Sequence, residues 1–183
     1  MITIDPPRTL GAFPDAGLSK AGLARFLKRA RAAVGLEGEV HVLLADDATL
    51  KRLNRAFRGK NTATDVLSFP AANVEDGNGT GVAGDLAISL ERAVRQAARF
   101  GHSLRDEVRV LMLHGMLHLA GFDHERDSGD MAEREAELRR ELGLPAGLIA
   151  RVSERAATGR SKQKRDPGIL RSAQNDNRKR VRK

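Results

Sequence analysis

One stretch decides both the fold and the chemistry of this chain: His114-Gly115-Met116-Leu117-His118-Leu119-Ala120-Gly121-Phe122-Asp123-His124. It contains three of the five histidines in the sequence. Because His114 and His118 are four residues apart, an α-helix would place both imidazoles on one face. Gly121 predicts the end of that helix, since glycine readily adopts the left-handed conformation that closes many helices. A turn there can bring His124 back over the same face. The spacing thus predicts a three-nitrogen metal site with a fourth position open, which is typical of catalytic zinc.

The residues around the first histidine favour a buried helix. The segment 108–119 is apolar apart from Arg109 and the two histidines. A buried imidazole without a partner is costly, and a metal ion supplies one; the alternative is that these are ordinary core histidines. Gly115 costs about 1 kcal/mol relative to alanine inside a helix, so a neighbouring backbone, a ligand or tight packing is expected against it. We expect one Zn²⁺ ion, although nickel, copper and iron also bind imidazole.

Composition narrows the class of protein. A chain of 183 residues is long enough for one well-cored domain and an appendage. The absence of cysteine excludes disulfides and thiolate zinc fingers, and it fits a reducing cytoplasm. The N-terminal residues 1–7 do not resemble a signal peptide, and the longest apolar run is too short to span a bilayer. We therefore expect a cytoplasmic protein without a membrane partner.

The net charge of +8 is located at one end of the chain. Residues 156–183 contain ten Lys and Arg and two Asp, a net +8, so residues 1–155 carry 22 basic and 22 acidic side chains and are neutral. The same tail has few apolar residues to bury, which favours disorder. We predict a domain at 1–155 and a basic, disordered tail at 156–183.

The order of helical and strand patterns predicts an α+β fold, with about four strands in one mixed sheet, about five packed helices, and the metal site at the end of a core helix. The expected strands are 1–4, 40–44, 66–69 and 84–89. The expected helices follow caps at Ser19, at Asp46 or Asp47, at Ser89, at Ser103 and near Ser128. In the second helix Leu50, Leu53 and Phe57 are expected to face the core. His41 is expected to be an ordinary strand residue.

The second predicted helix also has a basic face. Five cations lie within ten residues that contain no acid: Lys51, Arg52, Arg55, Arg58 and Lys60. Such a run is either a solvated helix face or a phosphate-facing patch, since Lys and Arg provide most contacts to nucleic-acid backbones. Sequence alone leaves both interpretations open.

Three blocks of this sequence together resemble the YbeY family of bacterial endoribonucleases and rRNA maturation factors. The first block is 53–70, in which an arginine and a glycine precede a polar turn and a strand that ends in Ser-Phe-Pro. The second is Gly84-Asp85-Leu86-Ala87-Ile88-Ser89, and the third is the histidine stretch 114–124. The resemblance covers roughly residues 1–145. Ala63, Asn61 and Phe122 depart from residues common in the family, and none of them is a candidate ligand.

The resemblance implies a zinc-dependent endoribonuclease that cuts single-stranded RNA. It implies roles in maturation of the 16S rRNA 3′ end and in ribosome quality control, with the ribosome or its small subunit as partner. The zinc ligands would be His114, His118 and His124, and the family's functional arginine falls on Arg58. We hypothesise that Arg58 and His114 act in catalysis, that zinc activates a water, and that Asp123 either orients a ligand imidazole or serves only the turn.

Two other functions remain open at this level. Metzincin peptidases share the histidine spacing, but their glutamate base follows the first histidine, and that position is Gly115 here. The other alternative is a noncatalytic ribosome assembly factor in which the metal only holds the fold together.

Overall fold

The computed structural model describes residues 1–4, 18–71, 81–124 and 126–145. The predicted tail at 156–183 lies outside these residues, and so does most of the loop between the third and fourth strands. The domain boundary at 155 therefore stays a prediction.

Within the described residues the chain forms four strands and five helices, as the sequence predicts. The strands are β1 (Ile2–Ile4), β2 (Glu39–Ala45), β3 (Val66–Pro70) and β4 (Val82–Ser89). The helices are α1 (Lys20–Val34), α2 (Asp47–Arg58), α3 (Leu90–Phe100), α4 (Leu104–Leu119) and α5 (Asp130–Leu142). None of the described helices is both long and apolar enough to cross a membrane.

The strands form one mixed sheet in the order β1-β2-β4-β3. β1 and β4 both run parallel to β2, whereas β3 runs antiparallel to β4. β3 is thus an edge strand, and its register places Phe69 beside Asp85 and Pro70 beside Gly84.

The two faces of the sheet are covered differently. Because side chains alternate along a strand, Val42 and Leu86 point to one face, where they join the main core with α1, α3 and α4. Leu43 and Ala87 point to the opposite face, where they pack with Leu50 of α2 in a much smaller cluster. The histidine-bearing α4 and the basic α2 therefore lie on opposite faces.

α4 is the central helix of the fold, and ten of its sixteen residues are buried. Val108, Met112 and Met116 pack into the main core. Leu113 and Leu117 pack against α5, where they form a separate buried cluster with Met131 and Leu138. Burial on all sides explains why this segment shows little polar alternation in the sequence.

The predicted caps hold at four of the five helices. The side chains of Ser19, Asp46, Ser89 and Ser103 each accept a hydrogen bond from a backbone N–H in the first turn of the following helix. The cap expected near Ser128 falls on the next residue and has no capping side chain of its own. The N-cap of α5 is Gly129, and the Asp127 carboxylate accepts hydrogen bonds from the backbone N–H groups of Gly129 and Met131.

The prediction that Phe57 faces the core is wrong. Its side chain is 68% exposed, and its ring centroid lies 5.0 Å from that of Phe69 in the edge strand β3. The buried stripe of α2 therefore ends before Phe57, whose ring lines a groove on this face of the sheet.

Candidate metal centre

The end of α4 brings the histidines together through a Schellman turn. Gly121 adopts a φ of +91°. Its N–H donates to the carbonyl of His118, and the N–H of Phe122 donates to the carbonyl of Leu117, both at 3.1 Å. This is the hydrogen-bond pair that defines the motif. The turn reverses the chain as Gly121 predicts, and it carries His124 back toward α4.

The three imidazoles form a compact cluster. The ring centroids of His114, His118 and His124 are separated by 4.8, 5.3 and 5.2 Å. One nitrogen from each ring lies within 4.8 Å of the others. His114 is buried, His118 is half-buried and His124 is exposed, so the cluster is closed toward the core and open toward solvent.

The outer nitrogens of two rings are already occupied by acceptors. Nδ1 of His114 lies 3.2 Å from a carboxylate oxygen of Glu135, and both side chains are buried. Nδ1 of His118 donates to the carbonyl oxygen of Phe122 at 3.0 Å. Nδ1 is therefore the donor in each ring, and Nε2 is the nitrogen left to bind a metal.

The inner nitrogens face each other. Nε2 of His114 and Nε2 of His118 are 3.2 Å apart. Burial lowers the pKa of His118, and the neighbouring imidazoles of His114 and His124 lower it further, which disfavours the protonated ring. The two Nε2 atoms converge on one region beside His124, as two ligands of a single cation would.

The distance also fits a metal ion quantitatively. Zinc–nitrogen bonds of about 2.0–2.1 Å at a tetrahedral angle separate two ligand nitrogens by about 3.3 Å, and the observed separation is 3.2 Å. Three neutral nitrogens without a thiolate suit zinc or another borderline metal better than magnesium or calcium, which prefer oxygen. The residues present thus fit a three-histidine metal site.

Glu135 is the member of this site that the sequence analysis missed. It is 3% exposed, and as the partner of His114 it orients the ring and makes its Nε2 more basic. A weak signal was available, because Glu135 stands four residues after Met131 and three before Leu138, on the buried stripe of α5. A carboxylate on an apolar stripe indicates a buried partner, but the sequence does not show which one.

Asp123 shapes the turn beyond the Schellman motif. Its carbonyl accepts hydrogen bonds from the N–H groups of Arg126 and Asp127, and its carboxylate lies 3.4 Å from the Arg126 guanidinium. These contacts place Asp123 in the turn, and its charge also acts on His118, whose pKa it raises against the effect of burial. Both roles expected for Asp123 therefore stay predictions.

Close packing of α4 against the sheet explains why position 115 is a glycine. A Cβ at this position would lie 2.8 Å from Cδ2 of Leu86 and 3.2 Å from Oγ of Ser68. The Ser68 hydroxyl also donates to the Gly115 carbonyl at 3.2 Å. Of the reasons left open by the sequence, tight packing is the one observed. The position that holds the glutamate base in metzincins is pressed against β3 and β4 here.

Arg58 lies on the other side of the sheet but at the same end. It is the exposed last residue of α2, and its neighbour Phe57 contacts Phe69 of β3. α4 ends near the same part of the sheet, because a Cβ on Gly84 would lie 2.7 Å from Leu119 of α4 and 2.5 Å from the Phe69 carbonyl. The C-terminal ends of α2 and α4 therefore lie on opposite faces of the sheet, both near the Phe69 end of β3.

Fold and site together define a class: an α+β protein with a solvent-open, three-histidine centre on a buried helix, as found in metal-dependent hydrolases. Comparison with known proteins narrows this class. Residues 18–143 match the family model described as Endoribonuclease YbeY. The protein named Endoribonuclease YbeY from Koribacter versatilis is 51% identical over 82% of this chain and 95% of its own length. Its counterpart from Solibacter usitatus is 50% identical over 75% of this chain and 88% of its own length.

The chain therefore belongs to the YbeY endoribonuclease family, which makes it a hydrolase of the nuclease class. A solution structure of TM1509 from Thermotoga maritima is also similar, with 24% identity and a TM-score of 0.49 over 92% of this chain and 99% of that one. That likeness is too distant to bear on function.

Proposed function

We propose that this protein is a zinc-dependent endoribonuclease that cuts single-stranded RNA. We further propose that it acts in the cytoplasm on ribosomal RNA, at the 3′ end of 16S rRNA and in ribosome quality control, with the small ribosomal subunit as partner. The observation that carries the proposal is the convergence of the Nε2 atoms of His114 and His118, which lie 3.2 Å apart beside His124. Membership of the endoribonuclease family supports RNA as the substrate.

A bound zinc ion would supply Lewis-acid chemistry, by activating a water molecule and offsetting charge on the phosphoryl oxygens. The residues of the chain hold and orient that centre. His114 and His118 present their Nε2 atoms inward because Glu135 and the Phe122 carbonyl accept at Nδ1. His124 lies on the solvent side of the cluster, where an RNA strand approaches.

Arg58 is proposed to bind the phosphate. Its guanidinium presents a planar fork that matches two phosphate oxygens. Support comes from its place at the end of α2, close to where α4 ends across the β3 edge. In this arrangement Arg58 neutralises charge that develops on the phosphoryl group as the bond breaks.

The test couples metal content to RNA cleavage in one preparation. We expect nuclease-free wild-type protein to carry about one zinc ion per chain and to cut an unstructured RNA. His118→Ala should lose both properties. Wild-type protein that holds zinc but leaves RNA intact would refute the nuclease assignment, and full cleavage by metal-free His118→Ala would refute the metal centre.

One observation favours a second candidate, a metal that holds the fold together in a noncatalytic assembly factor. The buried contact between His114 and Glu135 joins α4 to α5, so metal binding at His114 would stabilise that packing. Thermal melting before and after chelation separates the two candidates. A large loss of melting temperature, with no cleavage by the zinc-loaded protein, would favour the structural role.

A further inference from the structure

A groove of 430 Å³ lies on the α2 face of the sheet, away from the histidines. Its volume falls within the range of about 300–1,000 Å³ that is typical of small-ligand sites. Its lining is mostly apolar, with Leu43, Leu53, Phe57 and Phe69 among the residues that form it. Among the described residues that line it, His41 and Asp85 form a polar pair, with Nδ1 and Oδ1 3.1 Å apart.

We propose that this groove is a nucleobase subsite that binds single-stranded RNA beside the cleavage centre. The inference rests on the proposed function, because it takes RNA as the substrate, and it deepens that function by assigning a second contact region. Phe57 and Phe69 supply the stacking surface, His41 and Asp85 supply hydrogen-bonding groups, and α2 supplies the cations for the adjoining phosphates.

The aromatic pair is the first argument. Phe57 lines the groove and is 68% exposed. Its ring packs edge-on against that of Phe69, with the two centroids 5.0 Å apart. A large exposed apolar side chain indicates a contact surface when it lines a concave site. Stacking on aromatic rings accepts any base, because every base has a π-face.

The positive charge of α2 favours RNA over an apolar peptide as the occupant of the groove. The helix that supplies Leu53 and Phe57 to the groove also carries exposed cations, and one more follows it: Lys51, Arg52, Arg55, Arg58 and Lys60. Proteins that bind single-stranded nucleic acid combine such a cationic track with aromatic rings. An apolar peptide would leave these cations unused.

The polar pair of His41 and Asp85 would give the subsite a preference for one base over another. A carboxylate can only accept hydrogen bonds, and the side chain of Asp85 is 62% exposed. Cytosine presents an amino group at C4, which carboxylates accept, whereas thymine presents an acceptor oxygen there; uracil has the same oxygen. The subsite should therefore favour cytosine over uracil, two pyrimidines of nearly equal shape.

The position of the groove links it to the metal centre. Phe69 belongs to the edge strand β3, and its carbonyl lies beside Gly84, against which Leu119 of α4 packs. A strand held in the groove would pass around this edge to reach the histidines on the other face. A base bound here would fix the register of the phosphate that is cut.

A tryptophan reporter tests the stacking. The chain has no Trp and no Tyr, so Phe57→Trp introduces a single emitter and keeps an aromatic ring. With full-length holoprotein and a cleavage-resistant 2′-O-methyl oligoribonucleotide, we expect quenching of Trp emission on binding. Phe100→Trp, at the end of α3 and outside the groove, is the matched reporter and should not respond. Quenching at both positions, or at Phe100→Trp alone, would overturn the proposal.

Affinities measured with the same holoprotein complete the test. Phe57→Ala should weaken binding by about 10-fold, while Phe57→Tyr restores it. Oligo(C) should bind about 5-fold more tightly than oligo(U), and Asp85→Asn should abolish this ratio. If wild-type protein cuts RNA but these variants bind it unchanged, the groove has another occupant, such as an acidic protein segment, and the nuclease function stands. If wild-type protein neither binds nor cuts RNA, both proposals fail.

Discussion

α1 and α2 carry similar charge in very different surroundings. α1 has five Lys and Arg and no acid within its 15 residues, and α2 has four Lys and Arg and one Asp within 12. The apolar stripe of α1 is fully used, because Leu23, Phe26, Leu27 and Ala30 are all buried in the core. α2 buries only Thr49, Leu50 and Asn54 and leaves Phe57 exposed beside a groove.

The difference shows that the role of a cationic helix depends on the structural elements that lie beside it. Arg31 of α1 donates to the Gly38 carbonyl and lies 3.7 Å from Glu39, a local contact with the following loop and strand. The end of α2 lies beside Phe69, at the wall of an open groove. Charge alone makes the two helices similar candidates, and the open groove favours α2, because α1 packs its apolar stripe into the core and against α4.

The largest expected effect comes from matched charge reversals on the two helices. Arg58→Glu should lower kcat/KM for RNA by about 100-fold, as expected for loss of a group that stabilises transition-state charge. Arg25→Glu, an exposed reversal on α1, should change it by less than about 3-fold. Steady-state cleavage of one unstructured RNA measures both. Equal losses would mean that only overall charge matters, and the contrast between the helices would fail.

The next effect concerns the carboxylate behind the metal centre. Glu135→Gln keeps the shape of the side chain but removes the charge that supports His114, so zinc affinity should fall by about 10-fold or more. Glu137→Gln, on the exposed side of the same helix, where it pairs with Arg134, should leave affinity unchanged. Competition with a chromophoric chelator measures both variants. Unchanged affinity in Glu135→Gln would show that Glu135 has no part in metal binding.

The salt dependence of RNA binding gives a further comparison of α1 and α2. Each phosphate contact with single-stranded nucleic acid contributes about 0.7 to the slope of log K against log salt. The double variant Lys51→Ala with Arg55→Ala should reduce the slope by up to about 1.4. Lys28→Ala with Arg29→Ala, two exposed cations of α1, should leave it unchanged. Fluorescence anisotropy over a salt series gives the slopes, and a smaller slope only in the α1 variant would reverse our assignment.

The smallest effect tests how firmly α2 is anchored. Asp47, its single acid, accepts from the Ser89 hydroxyl at 2.6 Å and from Arg95 at 2.7 Å. Burial acts to raise the pKa of Asp47, but the hydrogen bonds from Ser89 and Arg95 and the charges of Arg92 and Arg95 outweigh it, so the pKa lies below its ordinary value. The charged form is therefore favoured by folding.

For a carboxyl whose pKa is lowered by folding, stability is fully present above the unfolded pKa and is lost as pH falls through the folded pKa. Asp47→Asn should cost about 1 kcal/mol at neutral pH, and the difference from wild type should shrink below about pH 4. Urea unfolding at several pH values measures it. Asp130→Asn, exposed in the first turn of α5, is the control, and a difference that grows toward low pH would contradict this account.

The parts of the fold that could be predicted from sequence depend on local rules. Helix caps, the Gly121 turn and the spacing of His114 and His118 follow from contacts within a few residues, so the histidine cluster was visible in the sequence. Glu135 was not, because its contact with His114 spans 21 residues and depends on how α5 packs against α4. Phe57 was misplaced for a similar reason, since helical periodicity does not show which turns of a helix the rest of the fold covers.

The central claim is that one metal ion binds between His114, His118 and His124. Zinc-edge X-ray absorption on the purified, zinc-loaded protein tests it most directly. The account predicts three imidazole nitrogens at about 2.0–2.1 Å, with the fourth position taken by a light atom. In His118→Ala that shell should lose an imidazole and the zinc should dissociate readily. A shell made mainly of oxygen, or one that is unchanged in His118→Ala, would contradict the account.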